Sequence, residues 1–265
     1  YCFSDCLILL IIRRIIVALD TFGQPENAAH LIQRSFIMTT IAVLTGAGIS
    51  AESGLATFRA GNGLWANHRI EDVCTPEAWA RNPQLVLDFY NQRRAQAAAA
   101  SPNAAHIALA QLQQHFPVHI ITQNVDDLHE RAGSRNVLHL HGQLNQARSS
   151  VDPDYIVPCT QDQTLQDKDP HGNPMRPHIV WFGESVPLLD DAAAIVRQAD
   201  VFLIIGTSLQ VYPANTLAYY AKPDARIIVL DPNPQNTQSA QVEIIRQTAA
   251  AGVQALCQYL IEHYG

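Results

Sequence analysis

Two histidines two residues apart, His139 and His141, are the residues of this chain best suited to proton transfer near neutral pH. An imidazole with an ordinary pKa of about 6.5 keeps a lone pair available there. Both lie in the strand-like stretch His139-Leu140-His141-Gly142, where a period of two puts them on one face, so spacing does not choose between them. A different chemistry is suggested by Thr45-Gly46-Ala47-Gly48-Ile49-Ser50, with Gly54 beyond it, directly after an apolar run. Glycines after a first strand let backbone amides approach a pyrophosphate at a helix N-terminus. The spacing is not the G-x-G-x-x-G of dehydrogenases, and no ribose-binding acid is evident after a second strand, which disfavours hydride transfer. A glycine-rich turn with no ligand is an equal reading of that segment alone. A third pair, Tyr90 and Arg93, falls at i and i+3 on a helical stretch. A phenol donor beside a guanidinium fork is a receptor for a carboxylate. Standing alone, the pair is more simply a half-buried Tyr and a solvated Arg.

The elements that must position these residues are outlined by apolar periodicity. Short runs at 41–44, 118–121, 201–205 and 227–230 are strand-like, and 83–100, 103–115, 190–199 and 241–263 are helical candidates. Strands alternating with helices make this an α/β chain with a doubly wound parallel sheet covered on both faces. Ligands of such sheets sit beyond the carboxyl ends of the strands, and the glycine-rich turn and the further motifs below follow strand candidates, so they should meet in one cleft. Residues 57–100, and the Pro-, Asp-, Ser- and Gln-rich residues 143–178, break the alternation and are expected to form a smaller inserted domain.

Composition narrows the partners. The 265 residues are 48% hydrophobic, enough for one large domain or two small ones. A net charge of -7 with no basic tract argues against nucleic acid as the main partner. Five scattered cysteines do not form a disulfide framework, which fits a cytoplasmic setting. The apolar stretch 7–19 is interrupted by Arg13 and Arg14 and is short of a membrane span, and no positive charge precedes it as in a signal peptide. The chain begins with Tyr1, and Met38 stands just before the first convincing strand. We therefore expect Met38 to be the natural start, residues 1–37 to be a non-core extension, and 38–265 to be the working domain; a helix packed on that domain is the alternative for 1–37.

Read onward, the motifs resemble one family. Gly46-Ala47-Gly48-Ile49-Ser50-Ala51-Glu52-Ser53-Gly54 runs on to Thr57-Phe58-Arg59 and Gly63-Leu64-Trp65. Gln123-Asn124-Val125-Asp126, His139-Leu140-His141-Gly142, Trp181-Phe182-Gly183-Glu184 and Gly206-Thr207-Ser208 follow in order. The series is similar to the sirtuins over about residues 40–260. The resemblance implies a Rossmann-like large domain, a small domain built from the two insertions, and NAD consumed between them in protein-lysine deacylation. Nicotinamide, O-acyl-ADP-ribose and free lysine would be the products. It gives His141 the role of general base, with Asn124 and Asp126 beside it. Gly46, Ala47, Gly48, Ile49, Ser50, Phe58, Arg59 and Trp65 would cradle and cover the cofactor. Gln123, Asn124, Val125 and Asp126 would line its ribose and nicotinamide pocket. Gly206, Thr207, Ser208, Asp231, Pro232, Asn233 and Ala249 would hold its adenosine half. An acyl-lysine peptide would add as a strand along Val180, Phe182, Gly183 and Glu184 on one side and Val211 on the other.

Within the family, Tyr90 and Arg93 resemble the pair that marks enzymes preferring succinyl, malonyl or glutaryl lysine, so acetyl and succinyl or malonyl groups are the expected substrates. Cys74 stands where that group tends to carry Ala, and its sulfur could narrow the acyl pocket. Sirtuins typically hold a structural zinc on two Cys-x-x-Cys pairs, but here the second insertion contains only Cys159, so no zinc is expected. Cys159, His171 and His178 are the remaining conceivable metal ligands. ADP-ribosyl transfer, NAD hydrolysis, or silent NAD binding on the same fold are the competing functions. No nucleic-acid or membrane partner is expected, and a monomer is the simplest assembly.

Overall fold

The computed structural model describes residues 38–56, 64–65, 68–207, 209, 211–234 and 242–265. The expected extension 1–37 lies outside them, as do Phe58, Arg59 and Ser208. Thr40–Gly265 forms one compact unit.

Its centre is β1 (Ile41–Thr45), five residues buried without exception. A strand apolar at every position, rather than at alternate ones, is what a sheet covered on both faces requires. Ile41 and Val43 face one core and Ala42 and Leu44 the other. The remaining strands are β2 (Leu64–Trp65), β3 (His68–Arg69), β4 (Val118–Thr122), β5 (Val137–His139), β6 (Gly142–Ser149), β7 (Ile156–Pro158), β8 (Met175–Ile179), β9 (Val201–Ile205), β10 (Arg226–Leu230) and β11 (Val242–Ile245). The main sheet is parallel, ordered β11-β10-β9-β1-β4-β5. The chain winds outward from β1 through β4 and β5, then returns to the other side of β1 for β9, β10 and β11. That reversal leaves a crevice between the ends of β1 and β9, the place where doubly wound sheets bind ligands.

The helices are α1 (Ile70–Val73), α2 (Pro76–Arg81), α3 (Pro83–Ala99), α4 (Ala104–Leu112), α5 (Leu128–Arg131), α6 (Leu189–Gln198) and α7 (Ala249–Tyr264). α4 and α7 cover one face of the sheet and α6 the other. Two expectations are corrected. The last helix starts at Ala249 and not at 241, because Val242-Glu243-Ile244-Ile245 is a β-branched run that pairs with β10 as an edge strand. Residues 143–178 are not irregular: β6 pairs antiparallel with both β7 and β8. This small sheet joins α1, α2 and α3 around a separate core that includes Val73, Phe89, Tyr90, Leu144 and Trp181.

A polar knot holds the loop after β7 against β6. The Asp169 carboxylate accepts hydrogen bonds from Ser149 Oγ (2.7 Å), His171 N (2.9 Å), Asn173 N (2.8 Å) and Asn173 Nδ2 (2.9 Å). Burial works to raise its pKa, but these donors outweigh burial and hold it well below the usual carboxylate range. Among the described residues, no three His, Cys, Asp or Glu side chains gather as a metal site.

Candidate active site

The crevice between β1 and β9 is built by two backbones in direct contact. Gly48 N donates to Gly206 O at 2.8 Å, and a Cβ on Gly48 would lie 2.7 Å from Gly206 Cα. Gly206 itself has φ +61, and a Cβ there would strike Ile49 N. Only glycine lets the turns close this tightly. Ile49 was expected to touch the cofactor, but its side chain is fully buried in the core beneath the turn. It therefore anchors the turn and does not line the cleft. Glu52 ties the turn to α7 from the other side. Its carboxylate accepts from Thr248 Oγ1 (3.1 Å) and Ala250 N (2.9 Å), a negative charge on the first free amides of that helix.

A cavity of about 570 Å³ opens above these turns. Gly46, Ala47, Gly48 and Ser50 form its floor with Gly206 and Thr207, while Asp231, Pro232, Asn233 and Ala249 line the side nearest β10. Gln123, Asn124, Val125, Asp126 and His141 line the middle, and Arg93, Val180, Phe182, Gly183, Glu184 and Val211 also reach it. The motifs separated along the sequence thus share one cleft. Cys74, whose sulfur was expected at the acyl pocket, and Trp181 line it as well, as do Leu55 and Tyr212, which were not expected there.

The two histidines separate clearly. His139 Nδ1 faces Asn124 O at 3.1 Å and its Nε2 faces Glu130 Oε1 at 2.7 Å. Both ring nitrogens are spent on acceptors, and the side chain is nearly fully buried. His141 lines the cavity, and its Nδ1 lies 3.0 Å from Gln123 O. A carbonyl can only accept, so Nδ1 carries the hydrogen and Nε2 keeps the lone pair. Burial lowers the His141 pKa below its ordinary value, and the bond to Gln123 opposes it in part.

Asn124 and Asp126 are held by a buried network. Asn124 Nδ2 donates to Ser50 Oγ (3.1 Å), and Asn124 N donates to Thr122 Oγ1 (3.0 Å). Ser50 Oγ lies 3.5 Å from His106 Nε2, and Thr45 Oγ1 lies 3.0 Å from His129 Nε2. The rings of His106 and His129 meet edge to face at 4.9 Å. Burial raises the Asp126 pKa, and hydrogen bonds from Leu128 N and Ser50 oppose it. His129 was legible as part of a motif. His106 was not, because one histidine on an amphipathic helix carries no signal of what lies above it.

Two expected substrate residues have other partners. Tyr90 does not line the cleft: it is fully buried, and its hydroxyl contacts Cys74 Sγ (2.9 Å) and Trp181 Nε1 (3.1 Å). Its ring belongs to the core of the small domain, which is why Arg93 reaches the cavity and Tyr90 does not. Glu184 lines the cavity, but its carboxylate is engaged by Arg176 (2.6 and 3.1 Å), Arg148 (3.1 Å) and Trp181 N (2.8 Å). It braces the Trp181–Glu184 turn. The backbone of Trp65 forms part of β2.

Residues 46–213 match the model of the Sir2 family. The chain belongs to that family. Among Sir2 relatives, an NAD-dependent protein deacylase of Aggregatibacter actinomycetemcomitans is 66% identical over 192 residues, covering 72% of this chain and 92% of that one. An NAD-dependent protein deacylase of Helicobacter pylori is 52% identical over 226 residues, covering 85% and 99%. The solved structure of a Sir2 homologue in complex with NAD matches with a TM-score of 0.78 at 38% identity, covering 85% of this chain and 91% of the other. The Rossmann-like sheet with its smaller inserted domain is the Sir2 fold.

Proposed function

We propose that this chain is an NAD-dependent protein-lysine deacylase, with residues 38–265 as the deacylase domain. The observation that carries the reading is His141, whose Nδ1–H is fixed on Gln123 O so that the Nε2 lone pair is left for the cleft. High identity to Sir2 deacylases supports the same activity. The site fits NAD on its own geometry: the Gly46 and Gly48 cradle, which a Cβ would fill, suits a pyrophosphate, and Asp231 at the end of β10 suits a ribose hydroxyl. Bound there, NAD would supply the ribose as acyl acceptor, the products being nicotinamide, O-acyl-ADP-ribose and free lysine.

The chain's own groups do the rest. His141 Nε2, its lone pair facing the cleft, would accept a proton from a ribose hydroxyl of the bound cofactor. Asn124 and Asp126, immobilised through Ser50 and Leu128, orient the sugar and the nicotinamide. Thr207, held by Gln123 Nε2 at 3.0 Å, joins Ala249 at the adenosine end. Phe58, Arg59 and Ser208 are assigned to the same cofactor by the family pattern. An extended acyl-lysine peptide lies along Val180, Phe182 and Gly183 opposite Val211.

Acetyl-lysine is one substrate, and succinyl- or malonyl-lysine is the second, because Arg93, whose Nη1 donates to Gln96 Oε1 at 3.0 Å, lines the cleft with a group suited to a carboxylate. The chain works as a monomer and without zinc, with the Asp169 knot bracing the second insertion. Stoichiometric zinc in purified protein would overturn that last point. A cytoplasmic setting, where NAD is abundant, suits the chemistry; among the described residues no helix is long and apolar enough to cross a membrane.

The test is a parallel assay of one peptide carrying acetyl- or succinyl-lysine, following peptide mass and nicotinamide release. NAD-dependent deacylation should appear, and His141→Ala should reduce it by about 100-fold or more. Nicotinamide release without deacylation would move the reading to ADP-ribosyl transfer or NAD hydrolysis. Succinyl turnover undiminished in Arg93→Met would remove the dicarboxylic substrates.

A further inference from the structure

We propose that a second cavity, between α3 and the loop that follows β7, binds an aliphatic α-amino acid as its zwitterion, with the carboxylate on Arg94 and the ammonium at Asp162. The site is separate from the cleft and does not rest on the deacylase reading.

The cavity measures about 380 Å³ and is lined by Arg94, Ala95 and Ala98 of α3 and by Thr160, Gln161 and Asp162 of the loop. None of these six residues lines the cleft. Ala95 and Ala98 are i and i+3 neighbours on one helix face, and their methyl groups leave open a space that larger side chains would fill. The loop is held opposite them by fixed hydrogen bonds. Asn91 Nδ2 donates to Gln163 O (2.9 Å), Asn91 Oδ1 accepts from Gln163 N (2.8 Å), and Cys159 N donates to Asn145 O (2.8 Å). The walls are therefore built by the fold.

Arg94 is only 5% exposed, and two of its guanidinium nitrogens are engaged: Nε donates to Leu144 O and Nη1 to Asn91 Oδ1, both at 2.7 Å. Nη2 is buried and has no partner. Gln163, next to Asp162 in the loop, is also buried, with neither side-chain amide atom partnered. A buried guanidinium nitrogen without an acceptor is destabilising, and the arginine fork is matched to a carboxylate. Asp162 lines the same cavity with the opposite sign, yet the guanidinium does not engage it. A plain anion would satisfy Arg94 and be repelled by Asp162; a plain cation would do the reverse. A molecule with one charge at each end satisfies both, and the methyls of Ala95 and Ala98 suit an aliphatic body.

The probes are L-leucine, isocaproate, which lacks its ammonium, and isoamylamine, which lacks its carboxylate. Each is titrated into the full isotope-labelled chain near neutral pH, and backbone amide shifts are followed by NMR. The amides of Ala95, Ala98, Thr160 and Gln161 should shift saturably with L-leucine. Kd should be at least about tenfold weaker for either analogue, the size of one hydrogen bond to a charged group. Arg94→Gln should weaken L-leucine by a similar factor. Asp162→Asn should remove the advantage of L-leucine over isocaproate, and because Asp162 sits on an exposed loop this variant carries the test if the Arg94 variant does not fold. The absence of a saturable shift with L-leucine would mean that water alone meets Nη2, and would overturn the proposal. Isocaproate or isoamylamine binding as tightly as L-leucine would reduce the site to a single charge and overturn it equally. Deacylation does not enter the readout, so failure of the deacylase reading would leave this result unaffected.

Discussion

The side-chain environment of His141 makes its pH behaviour calculable in sign. Burial depresses its pKa, so the neutral, proton-accepting form persists below the ordinary value of 6.5. The log of kcat/KM for an acetylated peptide should therefore be flat from pH 8 down to about 6.5 and fall with unit slope only below that. An acid limb centred above pH 7 would mean another group is the base. The same scale fixes what the glycine turns do. Gly48→Ala forces a Cβ against the Gly206 backbone, which cannot rotate aside as a side chain could. NAD affinity measured by calorimetry should drop at least tenfold, with a smaller change in the affinity for peptide. The resemblance pointed to His141, but spacing alone did not say which of the two histidines had a lone pair to spare. That depended on Glu130 and the Asn124 carbonyl, which reach His139 only through the folded chain. Tyr90 was legible as a neighbour of Arg93; its retreat behind Cys74 depended on Trp181, about ninety residues away.

At the level of elements, strands buried on both faces announced themselves. β1, β4, β9 and β10 are near-continuous apolar runs and begin or end within a residue of expectation. The small sheet was invisible for the opposite reason. β6 alternates buried and half-buried positions irregularly, and its residues Gln143, Asn145, Gln146, Arg148 and Ser149 are polar. Its order comes from pairing with β7 and β8 and from side-chain contacts such as the Asp169 knot, neither of which leaves a periodic trace. That knot makes a prediction of its own. Asp169→Ala should lower the thermal midpoint by several degrees, whereas prolonged chelation should leave it unchanged; an equal fall on chelation would restore a metal to this insertion. Because the folded Asp169 pKa is depressed, its contribution is complete above the unfolded value near 4 and is lost as pH falls through the folded one.

Across the whole molecule, the buried pair His106 and His129 contributes to acid sensitivity. Burial lowers His106 to about 4, and burial, with the neighbouring His106 and His139, takes His129 well below 6.5. A histidine whose folded pKa is depressed binds fewer protons folded than unfolded between the two values, so stability is complete above about pH 6.5 and declines as pH falls toward 4. The expected slope is about 1.4 kcal/mol per pH unit for each such histidine. Denaturant unfolding at pH 7.5, 6 and 5 should show it, and His106→Gln should flatten the decline; equal stability at all three would contradict the burial of these rings. The winding of the sheet has a further consequence, in time. β1 is translated before either neighbour, yet Ile41 pairs with Val118 and Val201, 77 and 160 positions downstream by subtraction. β1, buried at every position, must therefore wait unpaired on the ribosome until β4 has emerged, and with its other edge open until β9 follows. In vitro the same long-range pairing makes for slow refolding. Chaperone demand should accordingly be set by the interval between β1 and β9, so that slowing translation across residues 122–200 prolongs the exposure and favours aggregation.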